Sequence, residues 1–304
     1  MRIPILTGPT AVGKSKFAVS FARFVNGEII SIDSMQIRRY MDIGTSKVKE
    51  EEKYGVAHHL IDIVDPDEEF DVKRFRDITL TKIEEIIERK KRPILVGGSG
   101  LYVDVLKYGI FEGPSKNLEL RRSLKALEEV VPGALRRILK KVDEEAYKKF
   151  EEKDLLRTIR ALEVYILSGK EISSLWGKRR EDERFVIFVL NLPREKLYER
   201  INRRVEKMFE DGFVNEVRML LKKGYSAELP AMKSIGYKEV VKYLRGELAY
   251  EECKEEIKKE TRHFAKRQLT WFRKYKDAVW LDLEEDREKL FEKILKKLNW
   301  GDSA

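Results

Sequence analysis

The sequence predicts an α/β protein, with a parallel sheet flanked by helices and an all-helical domain inserted into it. Three observations predict this. A glycine-rich loop, GPTAVGKS at residues 8–15, lies between an apolar run (Ile3, Ile5, Leu6) and a helical period, FAVSFARF (17–24). Short apolar runs then alternate with helical periods, the rhythm of parallel strands joined by right-handed crossovers. From Leu118 to about Arg180 only helical periods are legible, and an apolar run resumes at FVIFVLNL (185–192).

The elements follow in order. GEIISID (27–33), bounded by Gly27, reads as a second buried strand. Residues 34–57 are polar and irregular, and HHLIDI (58–63) is a third candidate strand. Asp71 is placed to cap a helix whose apolar positions, Val72, Phe75, Ile83 and Ile86, fall at helical spacing. PILVGG (93–98) reads as a strand ending in a second glycine turn, GGSG (97–100), with another helix after it. The pattern changes near Gly113-Pro114. The strand at 185–192 is closed by Pro193, helices resume, and AVWLDL (278–283) is the last expected strand. The expected organisation is a core of residues 1–112 and 184–304 with a helical domain, 113–183, inserted into it. No repeat or low-complexity linker interrupts the chain.

Of the 304 residues, 42% are hydrophobic and 38% charged, so a sizeable core coexists with dense mixed charge of the kind that builds surface ion-pair networks. The net charge of +9 is uneven. Residues 1–110 hold 18 Lys and Arg against 17 Asp and Glu, and the remainder hold 45 against 37. A basic second part suits a polyanionic partner, or a solvated helical surface of mixed charge. The single cysteine, Cys253, permits no disulfide framework and fits a reducing cytoplasm. No apolar run is long enough to span a bilayer, and with Ile3, Ile5 and Leu6 read as the first strand no signal peptide is expected.

The loop matches G-x-x-x-x-G-K-[ST] at every fixed position, Gly8, Gly13, Lys14 and Ser15, which makes the core P-loop NTPase-like. A strand feeding such a turn into a helix N-terminus aims backbone N–H groups and the positive helix end at one point, where two adjacent phosphates fit. Gly8, Pro9, Thr10, Ala11, Val12, Gly13, Lys14 and Ser15 are therefore the candidate diphosphate-binding residues. Lys14 is expected to reach the outer oxygens and the Ser15 hydroxyl to hold a Mg²⁺. On the loop alone, a nucleoside triphosphate is the default ligand.

Other residues gather round this loop. Asp33 ends the second strand in DSMQ (33–36), within reach of a ligand at the strand ends. It can be a Mg²⁺ ligand, a general base or a helix cap. Gln36 offers an amide able to read a base edge. Ser99, within GGSGLY at the end of a predicted strand, offers a hydroxyl to the same crevice or belongs to a plain turn. In LLRTIRALEVY (155–165), Arg157 and Arg160 share a helix face while Leu156, Ile159, Leu162 and Val164 pack elsewhere. Such a pair is a phosphate clamp if it faces a cleft and a solvated face otherwise. In LYERINRRVEKM (197–208), Arg200 and Arg204 are one turn apart, with Arg203 between them, and offer cations over a leaving phosphate. In residues 257–276, Ile257, Thr261, Phe264, Gln268, Trp271 and Tyr275 form one helical face, and Lys259, Arg262, Lys266 and Arg273 a basic one. His58, His59 and His263 form no metal-binding pattern and read as structural.

Taken together, GPTAVGKS, DSMQ with YMDIGTSK (40–47), HHLIDI, GGSGLY, RTIRALEVY, RINRRV, KSIGYKE (233–239) and TRHFAKRQLTWFR (261–273) resemble the tRNA dimethylallyltransferases, also called tRNA isopentenyltransferases, in their bacterial form. The motifs occur in the family's order and cover nearly the whole chain. Ser99 stands where the family usually has threonine, keeping the hydroxyl, and DSMQIRRY departs from the family's usual tyrosine. The resemblance implies that the diphosphate is that of dimethylallyl diphosphate, and that the acceptor is N6 of adenosine 37 in tRNAs reading codons that begin with U. It implies a catalytic set of Asp33, Lys14, Thr10 and Arg204, with Asp33 taking the N6 proton. It further implies that tRNA is held by Asp33, Ser34, Met35, Gln36, Ser99, Arg121, Arg157, Arg160, Lys233, Gly236, Tyr237 and Lys238. Mg²⁺ is the implied cofactor, held at Ser15, and the protein is expected to be a cytoplasmic monomer. Two other activities share the loop and the acid: an adenylate isopentenyltransferase and a P-loop small-molecule kinase. Neither accounts for the basic second part.

Overall fold

The computed structural model describes residues 1–111, 113–176 and 181–301. Glu112 and residues 177–180, at the two ends of the expected insertion, thus lie outside the described residues. The chain forms two compact units, one of Met1–Lys107 with Glu183–Ala304 and the other of Tyr108–Asp182.

The first unit opens with β1 (Ile3–Thr7), α1 (Lys14–Phe24), β2 (Gly27–Ser31), α2 (Glu50–Lys53), β3 (His58–His59), α3 (Val72–Glu88), β4 (Arg92–Val96) and α4 (Gly100–Lys107). The second unit is helical throughout its described residues: α5 (Leu118–Val130), α6 (Ala134–Val142), α7 (Glu144–Lys149), α8 (Leu155–Ser168) and α9 (Ser173–Trp176). The chain then returns to the first unit with β5 (Phe185–Asn191), α10 (Arg194–Glu210), α11 (Phe213–Lys222), α12 (Tyr237–Leu244), α13 (Tyr250–Phe272), β6 (Val279–Asp282) and α14 (Arg287–Leu298).

Six strands form one sheet in the order β3-β2-β4-β1-β5-β6, and every pairing is parallel. β1 and β2 are buried at every position, as parallel strands covered by helices must be. The third strand stops at His59, short of the expected 58–63. Leu60 and Asp62 take left-handed backbone, φ 60° and 56°, which turns the chain out of the ladder. α3 begins where Asp71 predicts it, the carboxylate accepting from Arg74 N at 2.8 Å.

α1 and α14 pack on the sheet through Phe17, Phe21 and Phe291, whose rings lie 5.2–5.4 Å apart. A second core joins α10 to α13, with Phe209, Phe213, Tyr237, Val240 and Ile257 around Met41 of the loop after β2. Cys253 is buried there, and burial with Glu239 nearby pushes its thiol up to about 12, the state of an inert packing residue. The second unit has its own core, including Leu135, Leu139, Ile159 and Leu162. Leu156, expected to pack, is instead 83% exposed.

The strand order decides where chemistry can occur. In a parallel sheet all carboxyl ends open on one edge. Here β2, β4, β1 and β5 are consecutive neighbours, so the segments after them, at 32–36, 97–100, 8–15 and 192 onward, meet along that edge.

Candidate active site

The loop after β1 is shaped by glycine. Gly8 has φ +147°, and a Cβ there would sit 2.4 Å from Leu190 O, so only glycine lets the loop lie against β5. Gly13 is the left-handed N-cap of α1, and the first turn of α1 carries no acidic side chain. Its free N–H groups and positive end are thus unopposed, the requirement for an anion site. Lys14 crosses its own loop: Nζ donates to Gly8 O at 2.9 Å and to Pro9 O at 2.8 Å. Burial pushes the Lys14 ammonium down to about 8. Asp33 pulls it back up, and Arg204 adds to the lowering. The Arg204 guanidinium is likewise lowered by burial and favoured by Asp33. Asp33 thus favours the charge of both Lys14 and Arg204, against their burial. Two cations held half-buried around one carboxylate are a site short of negative charge.

A cavity of about 40 Å³ is lined by Lys14 and Ser15 of this loop, Asp33 and Gln36 of the segment after β2, and Gly97 of the turn after β4. Asp33 Oδ1 accepts from Met35 N at 2.9 Å and Gln36 N at 3.4 Å, an Asx turn that fixes the carboxylate at the strand end. Ser99 accepts from Ser34 N through Oγ at 3.1 Å, tying the two turns together. Arg200, on the first turns of α10, donates to Val12 O at 2.8 Å, and Arg204, one turn on, points to Thr45 O at 3.5 Å.

The loop at 41–46 depends on a residue the sequence does not advertise. Glu216 of α11 accepts from the N–H groups of Asp42 (2.9 Å), Ile43 (2.7 Å) and Gly44 (3.1 Å), and from Tyr237 Oη (2.7 Å). Gln36 is bound to the same loop. Its Nε2 donates to Thr45 O at 3.3 Å and Ser46 O at 3.4 Å, and its Oε1 accepts from Ser31 Oγ at 3.2 Å. The Gln36 amide is thus engaged within the chain, so the expected base-reading role requires these bonds to be given up.

The residues expected to hold RNA fall in different settings. Lys233 and Lys238 keep their side chains at the surface, 58% and 41% exposed, in ion pairs with Glu228 and with Glu239 and Glu260. Gly236 and Tyr237, between them, are buried. The Gly236 N–H caps α12 on Glu239, and the Tyr237 ring is 1% exposed. A direct side-chain contact of Tyr237 with RNA is therefore corrected to a structural role, holding Glu216. On α13, Phe264 is exposed although its face is the one expected to pack, and Arg262 turns from the basic face to donate to Asn202 at 2.8 Å. Lys259 and Lys266 remain exposed.

In the second unit, Arg121 and Arg160 converge on Glu163, whose side chain is fully buried. Arg121 holds it bidentately at 2.7 Å and 2.7 Å, Arg160 at 2.5 Å, and Asn117 N donates at 2.8 Å. Burial works to raise this carboxyl, but the two guanidiniums and the N–H outweigh it and hold it at about 2. Arg160 also donates to Pro114 O at 3.0 Å, so Arg157 and Arg160 do not act as a pair; Arg157 lies at the surface beside Asp154.

A metal ion fits this donor set in one way. The described residues contain no cluster of three acidic, His or Cys side chains able to hold a metal. The Ser15 hydroxyl beside a diphosphate suits Mg²⁺, which keeps several waters and takes few protein ligands. Among the described residues, no helix is long and apolar enough to cross a membrane.

Residues 36–275 match the family model described as IPP transferase. The chain is 49% identical to the tRNA dimethylallyltransferase of Thermotoga maritima over 97% of both chains, and 45% identical to that of Acetivibrio thermocellus over 97% of this chain and 96% of the relative. Two solved structures share the fold. One is a tRNA isopentenylpyrophosphate transferase from Bacillus halodurans, with 39% identity, TM-score 0.73 and coverage of 98% of this chain and 96% of that one. The other is a eukaryotic dimethylallyltransferase acting on tRNA, with 30% identity, TM-score 0.78 and coverage of 93% and 74%. Matched by the family model over most of its length and nearly half identical to these relatives from end to end, the chain belongs to the IPP transferase family of tRNA dimethylallyltransferases.

Proposed function

We propose that the protein transfers the dimethylallyl group of dimethylallyl diphosphate to N6 of adenosine 37 in tRNAs that read codons beginning with U, releasing pyrophosphate. The observation that carries this reading is the cavity in which Lys14 and Ser15 of the glycine-rich loop face Asp33 and Gln36 of the turn after β2. The adenine amine is a poor nucleophile, because its lone pair is delocalised into the ring. Transfer needs a stabilised leaving group and an acceptor for the amine proton. The allylic C–O bond breaks with its electron pair passing to pyrophosphate, the N6–C bond forms, and one N6 proton passes to Asp33. The N–H groups at the start of α1, the Thr10 side chain, Lys14 and Arg204 take up the charge that develops on pyrophosphate. Mg²⁺ at Ser15 supplies further charge neutralisation when bound. Water has to be excluded because it traps an allylic cation, so the target base has to leave the anticodon-loop stack.

For tRNA we assign the surface of the 33–36 turn, Ser99, Lys233 and Lys238, and in the helical unit Arg121 of α5 with Arg157 and Arg160 of α8. The enzyme acts in this reading as a cytoplasmic monomer. The test is mass spectrometry of an anticodon stem-loop incubated with protein, Mg²⁺ and dimethylallyl diphosphate. One isopentenyl unit on the adenosine is expected. Prenylation of AMP in preference to the stem-loop, or phosphoryl transfer from ATP, overturns the reading.

The same reading fixes the salt dependence. The surplus of cations beyond residue 110 makes stem-loop affinity fall steeply with salt. Replacing Lys259 and Lys266 with Ala is expected to lower the log–log slope by up to about 2, because each lysine neutralises at most one phosphate. Filter-binding titrations between low and moderate salt measure this, and an affinity indifferent to salt contradicts it.

A further inference from the structure

Gln268 lies in the buried seam of α13, 6% exposed among apolar neighbours. Its amide spans two loops: Oε1 accepts from Thr10 N at 2.8 Å, and Nε2 donates to Gly98 O at 2.8 Å. The orientation is forced. Exchanging the oxygen and nitrogen would set a carbonyl against a carbonyl and an N–H against an N–H.

The two partners belong to different halves of the site. Thr10 sits in the diphosphate loop. Gly98 precedes Ser99, whose hydroxyl accepts from Ser34 N one residue beyond Asp33. The crossing is tight, since a Cβ on Gly98 would lie 2.5 Å from Gln268 Nε2 and 3.5 Å from both Gly8 O and Lys14 Nζ. One buried side chain thus spaces the loop that faces the leaving group from the turn bonded to the acid's segment. The strands themselves are tied below this crossing, Gly97 N donating to Leu6 O at 3.2 Å and Thr7 Oγ1 to Gly97 O at 2.8 Å, and the Gln268 amide adds the link beyond them, between the loop and the turn that face the site.

We propose that Gln268 is a positioning residue for prenyl transfer, fixing the diphosphate loop against the Ser99 turn through Thr10 N and Gly98 O. The inference rests on the reading of the site given above. Gln268 acts through the backbone of others, so its loss should slow the bound complex more than it weakens either substrate.

The experiment is single-turnover prenylation of a stem-loop by Gln268→Met, which keeps the length of the side chain and removes both hydrogen bonds. A rate lower by about 10- to 100-fold is expected, the order that a misplacement of about 1 Å produces. Dimethylallyl diphosphate and stem-loop affinities should stay within about threefold. Gly98→Ala provides the second arm, because its methyl displaces the same amide. Its effect should be large in the wild-type background and nearly absent in Gln268→Ala, since both changes act on the same hydrogen-bonded crossing. A Gln268→Met rate within about threefold of wild type, or a lowered melting temperature with normal rate in the folded protein, overturns the proposal. So does an equal effect of Gly98→Ala in both backgrounds. Wild-type protein that leaves the stem-loop unmodified overturns the underlying reading and this inference with it. Wild-type activity with an unaffected Gln268→Met overturns this inference alone.

Discussion

Asp33→Asn is expected to slow single-turnover prenylation of a bound stem-loop by about 10²- to 10⁴-fold, or roughly 3–5 kcal/mol of barrier. The variant is informative because its local structure should survive. The hydrogen bonds of Asp33 run to Oδ1 from Met35 N and Gln36 N, and an asparagine oxygen accepts both. What is lost is the ability to take a proton from N6. Dimethylallyl diphosphate affinity should change little near neutral pH, since removing a negative charge beside an anion site offsets the support that Asp33 gives to the charge of Lys14. A Mg²⁺-ligand role predicts the opposite pattern, with weaker diphosphate binding and partial rescue by excess Mg²⁺. A purely capping role predicts a small loss of melting temperature at near-normal rate. Measuring rate, diphosphate affinity against Mg²⁺, and melting temperature on this one variant separates the three. A rate within a few-fold of wild type removes Asp33 from the role of base.

The parts of the site that are legible in the sequence are those written locally. GPTAVGKS is contiguous, and a strand, a turn and a helix N-terminus are needed in that order for it to bind phosphate. Asp71 announces a helix because cap and apolar period are neighbours. Pairings between distant segments leave weaker traces. Gln268 leaves one, a polar residue in an apolar seam that demands a buried partner, though no spacing reveals that the partners are Thr10 and Gly98. Glu216 leaves none. A lone glutamate on a helix reads as a solvated face, and the three N–H groups it accepts from lie over 170 residues away in sequence. The arginines of the second unit show the converse. Their spacing suggests a clamp, whereas Arg160 is taken up by Glu163, which Arg121 shares. β3 is short because Leu60 and Asp62 are left-handed, and neither residue type signals that conformation reliably.

Lys14→Ala is expected to weaken dimethylallyl diphosphate binding by about 10- to 100-fold, the worth of a charge-assisted hydrogen bond of roughly 1.5–3 kcal/mol. Turnover should fall further, because the charge on departing pyrophosphate grows in the transition state. The two losses can be told apart by pH. The Lys14 ammonium of the free protein is lowered to about 8, chiefly by burial. A diphosphate binds the charged form, so wild-type affinity should hold below about pH 8 and fall above it, by about tenfold per pH unit until the lysine of the complex itself deprotonates. Calorimetry in buffers of different ionisation enthalpy should record proton uptake on binding near and above that pH. Lys14→Ala should bind weakly at every pH, without that uptake. Stability carries the same signature with its own sign. The folded value lies below the ordinary lysine value of 10.5, so the unfolded chain holds more protons between about 8 and 10.5, and stability gains from this group as pH rises through that window. The gain should be missing in Lys14→Ala. If instead wild-type affinity is flat across pH 7–9 and the variant matches its slope, Lys14 is fully charged in the free protein, and the carbonyls of Gly8 and Pro9 support its charge more strongly than burial opposes it.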